Sequence, residues 1–150
     1  MQQTEIYIST DIEVDGPIPG PHSMLSIGSA AMTENGEILS GFSANLHRLP
    51  NATGHPSNMA WWAKHPEAWA VARKDLQSPE KVMRDYVVWL KQLPGKPIFV
   101  GYPAVFDFMF VYLSIRVFFF FFFFFFFFLD PFVLFYLFIC VIVVSDTRLK

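Results

Sequence analysis

The chain has 150 residues, which is enough for one domain, and a net charge of −2. That balance excludes the strongly basic surface that is typical of a non-specific nucleic-acid binder. The single cysteine, Cys140, excludes an internal disulfide and a cysteine-based zinc site. Because the N-terminus also lacks the charged start and apolar core of a signal peptide, we expect a cytoplasmic protein.

The composition, 53% hydrophobic with 19 Phe, averages two different parts of the chain. Up to Arg116 the sequence is that of an ordinary soluble α/β protein. After Arg116 nearly every residue is apolar until Ser145, and residues 118–128 are an uninterrupted run of Phe. We therefore predict an α/β domain over residues 1–116 and a Phe-rich, low-complexity tail over residues 117–150.

Three strands are predicted at the start of the chain. Residues 5–11 alternate and are rich in Ile, Tyr and Thr, which predicts the first strand. Residues 24–33 predict the second strand and residues 38–46 the third. Between these two lies Asn35-Gly36, the strongest short hairpin signal. The chain is therefore expected to open as an antiparallel three-stranded meander.

The middle of the chain alternates between helix and strand signals. Residues 58–73 are expected to be helical, with Pro66 dividing them into two short pieces. Ser78 and Pro79 form a favourable helix start, because Ser caps the helix and Pro fits its first turn. The predicted later elements are a helix over residues 78–93, a buried strand over 97–102 and a helix over 104–115. Such alternation is typical of an α/β fold.

Asp11 and Glu13 are the first candidates for a chemical role. Side chains two apart on a strand point to the same face, and two adjacent carboxylates repel each other unless a cation lies between them. Hard oxygen ligands favour Mg²⁺ or Mn²⁺. The alternative is a solvated strand end that leads into a turn.

Asp107 is the third candidate, because it is embedded in the apolar run of residues 106–110. A buried carboxylate without a partner costs several kcal/mol. We therefore expect a cation, an Arg or a helix N-terminus beside Asp107. The alternative is an acid in the first helical turn that interacts favourably with the helix dipole.

Together these residues resemble the DEDD family of 3′–5′ exonucleases over roughly residues 4–116. Asp11 and Glu13 match the first motif of that family, and Asp107 matches the aspartate of the second. Residues 11–17 (DIEVDGP) and 61–66 (WWAKHP) look like a bacterial subgroup related to RNase T and oligoribonuclease. The resemblance implies an RNase H-like mixed α/β sheet with flanking helices, altered at its C-terminal end.

The resemblance also implies hydrolysis of phosphodiester bonds from the 3′ end of single-stranded RNA or DNA at a two-metal Mg²⁺ or Mn²⁺ site. In that arrangement Asp11 lies between the two ions, Glu13 holds the ion that binds the attacking water, and Asp107 completes the other. Three residues are expected to contact the substrate: Val14, Gly16 and Phe106. A homodimer is an open alternative.

The sequence departs from the family pattern in two places. Pro103 stands where the family often has Asn. The third motif, a His or Tyr general base followed by a fourth carboxylate, is missing: after Arg116 the candidates are Tyr136, Asp130 and Asp146, and none has the expected spacing. The open alternative is therefore a catalytically inactive protein that binds metal or nucleic acid, or that associates with a membrane.

The Phe run has two interpretations. Residues 117–129 and 132–144 each hold 13 apolar residues, fewer than the roughly 20 that span a bilayer, so a membrane contact through residues 117–144 is not favoured. We favour a frame-shift hypothesis, in which a run of T in the gene has slipped and the chain beyond about Val117 is not the family's sequence. Resequencing the gene tests it, because an alternative frame without a His-containing, helix-forming continuation would contradict it. Eleven consecutive Phe in water also predict aggregation.

Two further surface features have two interpretations each. Trp61 and Trp62 are expected to be one core and one partly exposed residue, and the alternative is stacking on bases. Five basic residues would be a solvated helix face or a phosphate-facing patch: Lys64, Arg73, Lys74, Lys81 and Arg84.

Overall fold

A computed structural model describes residues 4–123, and it describes side chains as far as Phe118. In chain order the elements are β1 (Glu5–Val14), β2 (Met24–Met32), β3 (Ile38–Asn45), α1 (Pro56–Ala63), α2 (Pro66–Ala72), α3 (Pro79–Lys91), β4 (Lys96–Val100) and α4 (Ala104–Phe123). This alternation confirms the predicted α/β class.

The four strands form one mixed sheet in the order β3-β2-β1-β4. β1, β2 and β3 are the predicted antiparallel meander, and Gly36 takes φ +80° in the turn between β2 and β3. β4 lies parallel to β1 on its other side, and this pairing ends at Ser9 and Val100. Residues 10–14 of β1 therefore extend beyond β4, which leaves room beside them for α4.

β1 is longer than its predicted bounds of residues 5–11. The alternation of buried and exposed residues continues through Ile12 and Val14, because these apolar side chains still meet the core. Asp11 and Glu13 consequently lie on the strand itself, on its exposed face. β4 is shorter than predicted at its C-terminal end, because the Gly101–Pro103 turn follows Val100.

The main core lies between α3, α4 and the inner face of the sheet. Ser78 caps α3 by accepting a hydrogen bond from the Lys81 amide at 3.2 Å, as its sequence predicted. The buried residues of this core are Ile12, Val14, Met24, Ile27, Leu46, Val82, Met83, Tyr86, Val87, Phe110, Val111 and Ile115. Burying such side chains contributes about 1.5–3 kcal/mol each to folding.

A smaller core lies under the two short helices α1 and α2. Each begins at a proline, and Pro66 separates them as predicted. Trp62 is buried against Leu25 and Ala72, whereas Trp61 is half exposed. The expectation of one core and one partly exposed tryptophan is confirmed.

α4 extends beyond the predicted end at residue 115. No Gly or Pro lies between Arg116 and Phe123, and the helix continues into the Phe run as far as Phe123. Among the described residues, none of the helices combines the length and apolar character needed to cross a bilayer. Tyr136, Cys140, Asp130 and Asp146 lie outside the described residues.

A buried hydroxyl cluster inside the main core gives the first test of the fold. The Tyr86 hydroxyl lies 3.4 Å from Thr10 Oγ1 and 3.3 Å from Ser29 Oγ, and burial raises the pKa of Tyr86. We expect Tyr86→Phe to lower the free energy of unfolding by about 1 kcal/mol, because two buried hydroxyls lose a partner.

Urea unfolding followed by tryptophan fluorescence measures that change. Tyr7→Phe is the matched control, since the Tyr7 hydroxyl donates to Glu5 at the surface and its removal should change the stability little. A Tyr86→Phe variant as stable as the parent protein would contradict the role of the cluster.

Candidate active site

Asp11 and Glu13 project together from the exposed face of β1. In the antiparallel register they stand opposite Gly28 and Ser26 of β2, so small residues flank both carboxylates. The pKa of Glu13 is raised, first by partial burial and then by the negative charge of Asp11. The predicted pairing of the two acids on one face is therefore present.

Asp107 lies in the first turn of α4 and is almost fully buried, with 3% of its surface exposed. Burial and, secondly, the charge of Asp11 raise the pKa of Asp107 to about 6, and a backbone hydrogen bond from Ile12 acts in the opposite direction. The fold thus places Asp107 beside the Asp11–Ile12 segment of β1. Asp107 also occupies the helical first turn that its alternative interpretation required.

Gly101 packs closely against Asp107. A Cβ atom at Gly101 would lie 2.9 Å from Asp107 Oδ2, 3.3 Å from Phe99 Cε1 and 3.4 Å from Ala104 Cα. A larger residue at position 101 would displace the Asp107 carboxylate. Glycine at this position therefore allows the carboxylate to lie where it does. The sequence offered no signal for this contact.

The donor set of these three acids suits a hard divalent ion, since all the donors are carboxylate oxygens. Asp11 is the electrostatic neighbour of both Glu13 and Asp107. Within residues 4–118, however, no group of three or more His, Cys, Asp or Glu side chains is close enough to hold a metal ion. The metal-ligand role of the three acids therefore stays a prediction.

The three predicted substrate residues each have a packing contact. The Val14 carbonyl accepts a hydrogen bond from Trp62 Nε1 at 3.0 Å. Gly16 is buried, and a Cβ atom there would lie 2.2 Å from Cγ of His22, so the imidazole occupies the space beside this glycine. Phe106 is partly buried against the main core. Their contact with a nucleotide stays a prediction.

The buried Asp15 forms an ion pair with the partly exposed Arg48, which the sequence did not indicate. Asp15 is fully buried, and its Oδ1 accepts a hydrogen bond from the Ser23 amide at 2.6 Å. Its Oδ2 lies 2.9 Å from Arg48 Nε, close enough for an ion pair although the two groups are not aligned as a hydrogen bond. The pair anchors the loop that follows Glu13. The one related feature of the sequence is that Asp15 precedes Gly16-Pro17.

A cleft of about 470 Å³ opens over the exposed face of the meander beside Asp11 and Glu13. The strand register aligns Asp11 with Gly28 and Ser43, and Glu13 with Ser26 and Asn45, across the floor of the cleft. The wall beyond β3 comes from the end of α2 and the segment after it, through Val71, Lys74, Asp75 and Gln77. The cleft is thus an open polar groove that contains two of the three acids.

Comparison with known proteins shows what this chain is similar to. The sequence matches no family model. It is 31% identical over 117 residues to the 3′–5′ DNA exonuclease Cap18 of Escherichia coli, an alignment that covers 76% of this chain and 59% of the relative. Over this segment the chain is therefore similar to a 3′–5′ exonuclease. It spans somewhat more than half the length of that curated relative.

Solved structures of exonuclease I share the fold of this chain. One, a complex with the SSB C-terminal segment, superposes with a TM-score of 0.62 at 14% identity and covers 78% of this chain and 25% of exonuclease I. The E. coli enzyme in complex with a dA16 oligonucleotide gives 0.61 at 14% identity, over 77% of this chain and 24% of that protein. A zinc-bound form of an exonuclease I–ssDNA complex gives 0.62 at 15% identity, over 78% and 24%. These likenesses confirm the predicted RNase H-like fold.

Proposed function

We propose that the chain carries a metal-dependent 3′–5′ exonuclease site for single-stranded nucleic acid, formed by Asp11, Glu13 and Asp107 with Mg²⁺ or Mn²⁺. The observation that carries the proposal is the burial of Asp107 beside Asp11, at the end of β1 that extends past β4. The likeness to Cap18 supports the reaction class, and the name of that relative specifies DNA for the relative.

Each acid has a distinct environment in this proposal. Bound divalent ions would supply Lewis acidity and lower the pKa of a bound water. Asp107 is held in place by burial, by the Ile12 backbone and by the close approach of Gly101. Asp11 and Glu13 face the open cleft, through which the 3′ end of a nucleic acid would reach them.

The missing third motif limits the expected rate. A positioned general base typically contributes about 10²–10⁴-fold to such a reaction. No His follows Arg116, so we expect this chain to hydrolyse slowly. The alternative is a protein that binds metal and single-stranded nucleic acid without turnover. A cytoplasmic location, the division near residue 117, a homodimer and a membrane contact stay predictions.

The test is hydrolysis of single-stranded DNA and RNA that carry a 3′ fluorophore, by the full chain in Mn²⁺. We expect label release from the 3′ end, and a loss of about 100-fold or more in Asp11→Ala and in Asp107→Ala, because each removes a proposed ligand.

Asp85→Ala is the matched control, since Asp85 is a half-exposed acid on α3 that does not line the cleft. Activity that survives both ligand changes would overturn the site. Binding without any label release would favour the inactive alternative.

A further inference from the structure

Lys74 stands in the wall of the cleft opposite the acids of β1. It is the one basic residue among those that line the described cleft. β2 and β3 separate it from Asp11 and Glu13. Neighbouring β-strands lie about 4.8 Å apart, so β1 and β3 are roughly 10 Å from each other. This distance is about the length of three stacked nucleotides. A single-stranded nucleic acid whose 3′ end lies at Asp11 and Glu13 would therefore reach Lys74 within a few nucleotides.

The backbone of Lys74 is held in position by Asn45 of β3. The Asn45 side-chain amide donates hydrogen bonds to the carbonyls of Val71 and Lys74, both at 2.8 Å. The Asn45 carbonyl accepts from the Gln77 amide at 2.9 Å. Between them Asp75 takes φ 49°, a left-handed conformation that turns the chain away from α2. The wall is thus tied to the cleft floor at both of its ends.

Three other members of the predicted basic patch have partners, and the fourth, Lys64, does not line the cleft. Lys81 pairs with Asp85 at 2.6 Å, and Arg84 pairs with Glu80 at 2.8 Å, on the surface of α3. Arg73 donates to the Leu46 carbonyl at 2.8 Å. The Lys74 ammonium is exposed and has no hydrogen-bond or ion-pair partner within residues 4–118. Within residues 4–118, Lys74 is therefore the member of the patch that lines the cleft and has no partner.

We infer that Lys74 binds a backbone phosphodiester of the strand whose 3′ end lies at Asp11 and Glu13, an inference that rests on the proposed function. An ammonium is a compact point charge that binds phosphate without requiring a fixed geometry. The other charged residues lining the cleft are Asp11, Glu13 and Asp75, which repel a phosphate backbone. Lys74 offsets that repulsion on the side away from the proposed metal ligands.

The test compares binding of a 5′-fluorescein-labelled, single-stranded oligo(dT) to the full chain and to Lys74→Gln. Fluorescence anisotropy is recorded in EDTA, which prevents turnover, at several salt concentrations. We expect Lys74→Gln to bind about 3- to 10-fold more weakly and to flatten the slope of log K against log salt by about 0.7, the value for one lost contact on a single strand. Lys74→Arg should keep the slope of the parent protein.

Arg84→Gln is the control, because Arg84 is paired with Glu80 on the surface of α3 outside the cleft and should change neither affinity nor slope. Equal affinity and slope in the parent protein and Lys74→Gln would overturn the inference, as would an equal loss in Arg84→Gln. If the parent protein releases a 3′ label but Lys74→Gln binds normally, only this inference fails. If the parent protein neither binds nor cleaves single strands, the proposed function fails with it.

Discussion

Asp107→Asn is expected to stabilise the protein in EDTA at pH 7.5 by about 2–3 kcal/mol, and to remove stabilisation by Mn²⁺. The fold raises the pKa of Asp107 from its ordinary 3.8 to about 6. Each tenfold change in proton affinity corresponds to about 1.4 kcal/mol. Above pH 6 the folded protein holds an ionised carboxylate in a buried position, and the neutral amide avoids this cost while keeping a hydrogen-bond acceptor for the Ile12 backbone.

The pH dependence of this difference follows from the raised pKa of Asp107. Because the folded pKa is the higher one, the unfolded chain releases this proton first as the pH rises. The parent protein therefore loses stability relative to Asp107→Asn between about pH 4 and pH 6. Below that window both states are protonated at Asp107 and the two proteins should be nearly equal. Above it the difference is constant.

Unfolding of the full chain by urea in EDTA, from pH 4 to pH 8, measures the difference, and melting with and without Mn²⁺ measures metal binding. Asp85→Asn serves as the control, because Asp85 lies in a half-exposed pair with Lys81. A variant that is less stable than the parent protein at pH 7.5 in EDTA would contradict the cost assigned to burial. A variant that Mn²⁺ still stabilises would contradict the ligand role.

Asp15→Ala is expected to lower the free energy of unfolding by about 2–3 kcal/mol, because a buried hydrogen-bond donor loses its partner while the charge left behind, Arg48, is partly exposed. Asp15 is fully buried and has two partners, the Ser23 amide and Arg48. Its removal leaves the amide without an acceptor. It also leaves the Arg48 guanidinium, which lies 5.5 Å from the centre of the Trp69 ring, without its countercharge. The loop after Glu13 should loosen as a result.

Denaturant unfolding followed by tryptophan fluorescence measures this loss, since Trp62 and Trp69 lie in the same small core. Asp85→Ala is the matched control: it breaks an exposed ion pair of similar length and should cost less than about 1 kcal/mol. Equal losses in the two variants would show that burial does not strengthen the Asp15 contact.

Local sequence signals predicted the elements of this fold well. Asn35-Gly36 marked the β2–β3 turn because glycine accepts a positive φ there. Pro66 divided the α1–α2 region, and Ser78 began α3, since caps and prolines act within one turn of chain. The bounds of β1 and α4 were set too short, because both elements continue where their apolar residues still find the core or where no breaker follows.

Tertiary contacts account for what the sequence did not indicate. Arg48 lies 33 positions after Asp15, and the sequence around either residue does not predict contact with the other. The same is true of Gly16 and the His22 ring, and of Asn45 and the end of α2. These contacts depend on how the loops pack, which composition and periodicity do not encode.

For the three acids, the sequence predicted some features and the tertiary structure supplied the others. The sequence by itself determined that Asp11 and Glu13 share one strand face, because side chains alternate with a period of two. It also identified Asp107 as an acid among apolar residues that needs a partner. Only the tertiary structure decided what surrounds Asp107. The parallel pairing of β4 ends at Ser9, so α4 begins beside residues 10–14 of β1 and its buried carboxylate meets Asp11 and Ile12 there.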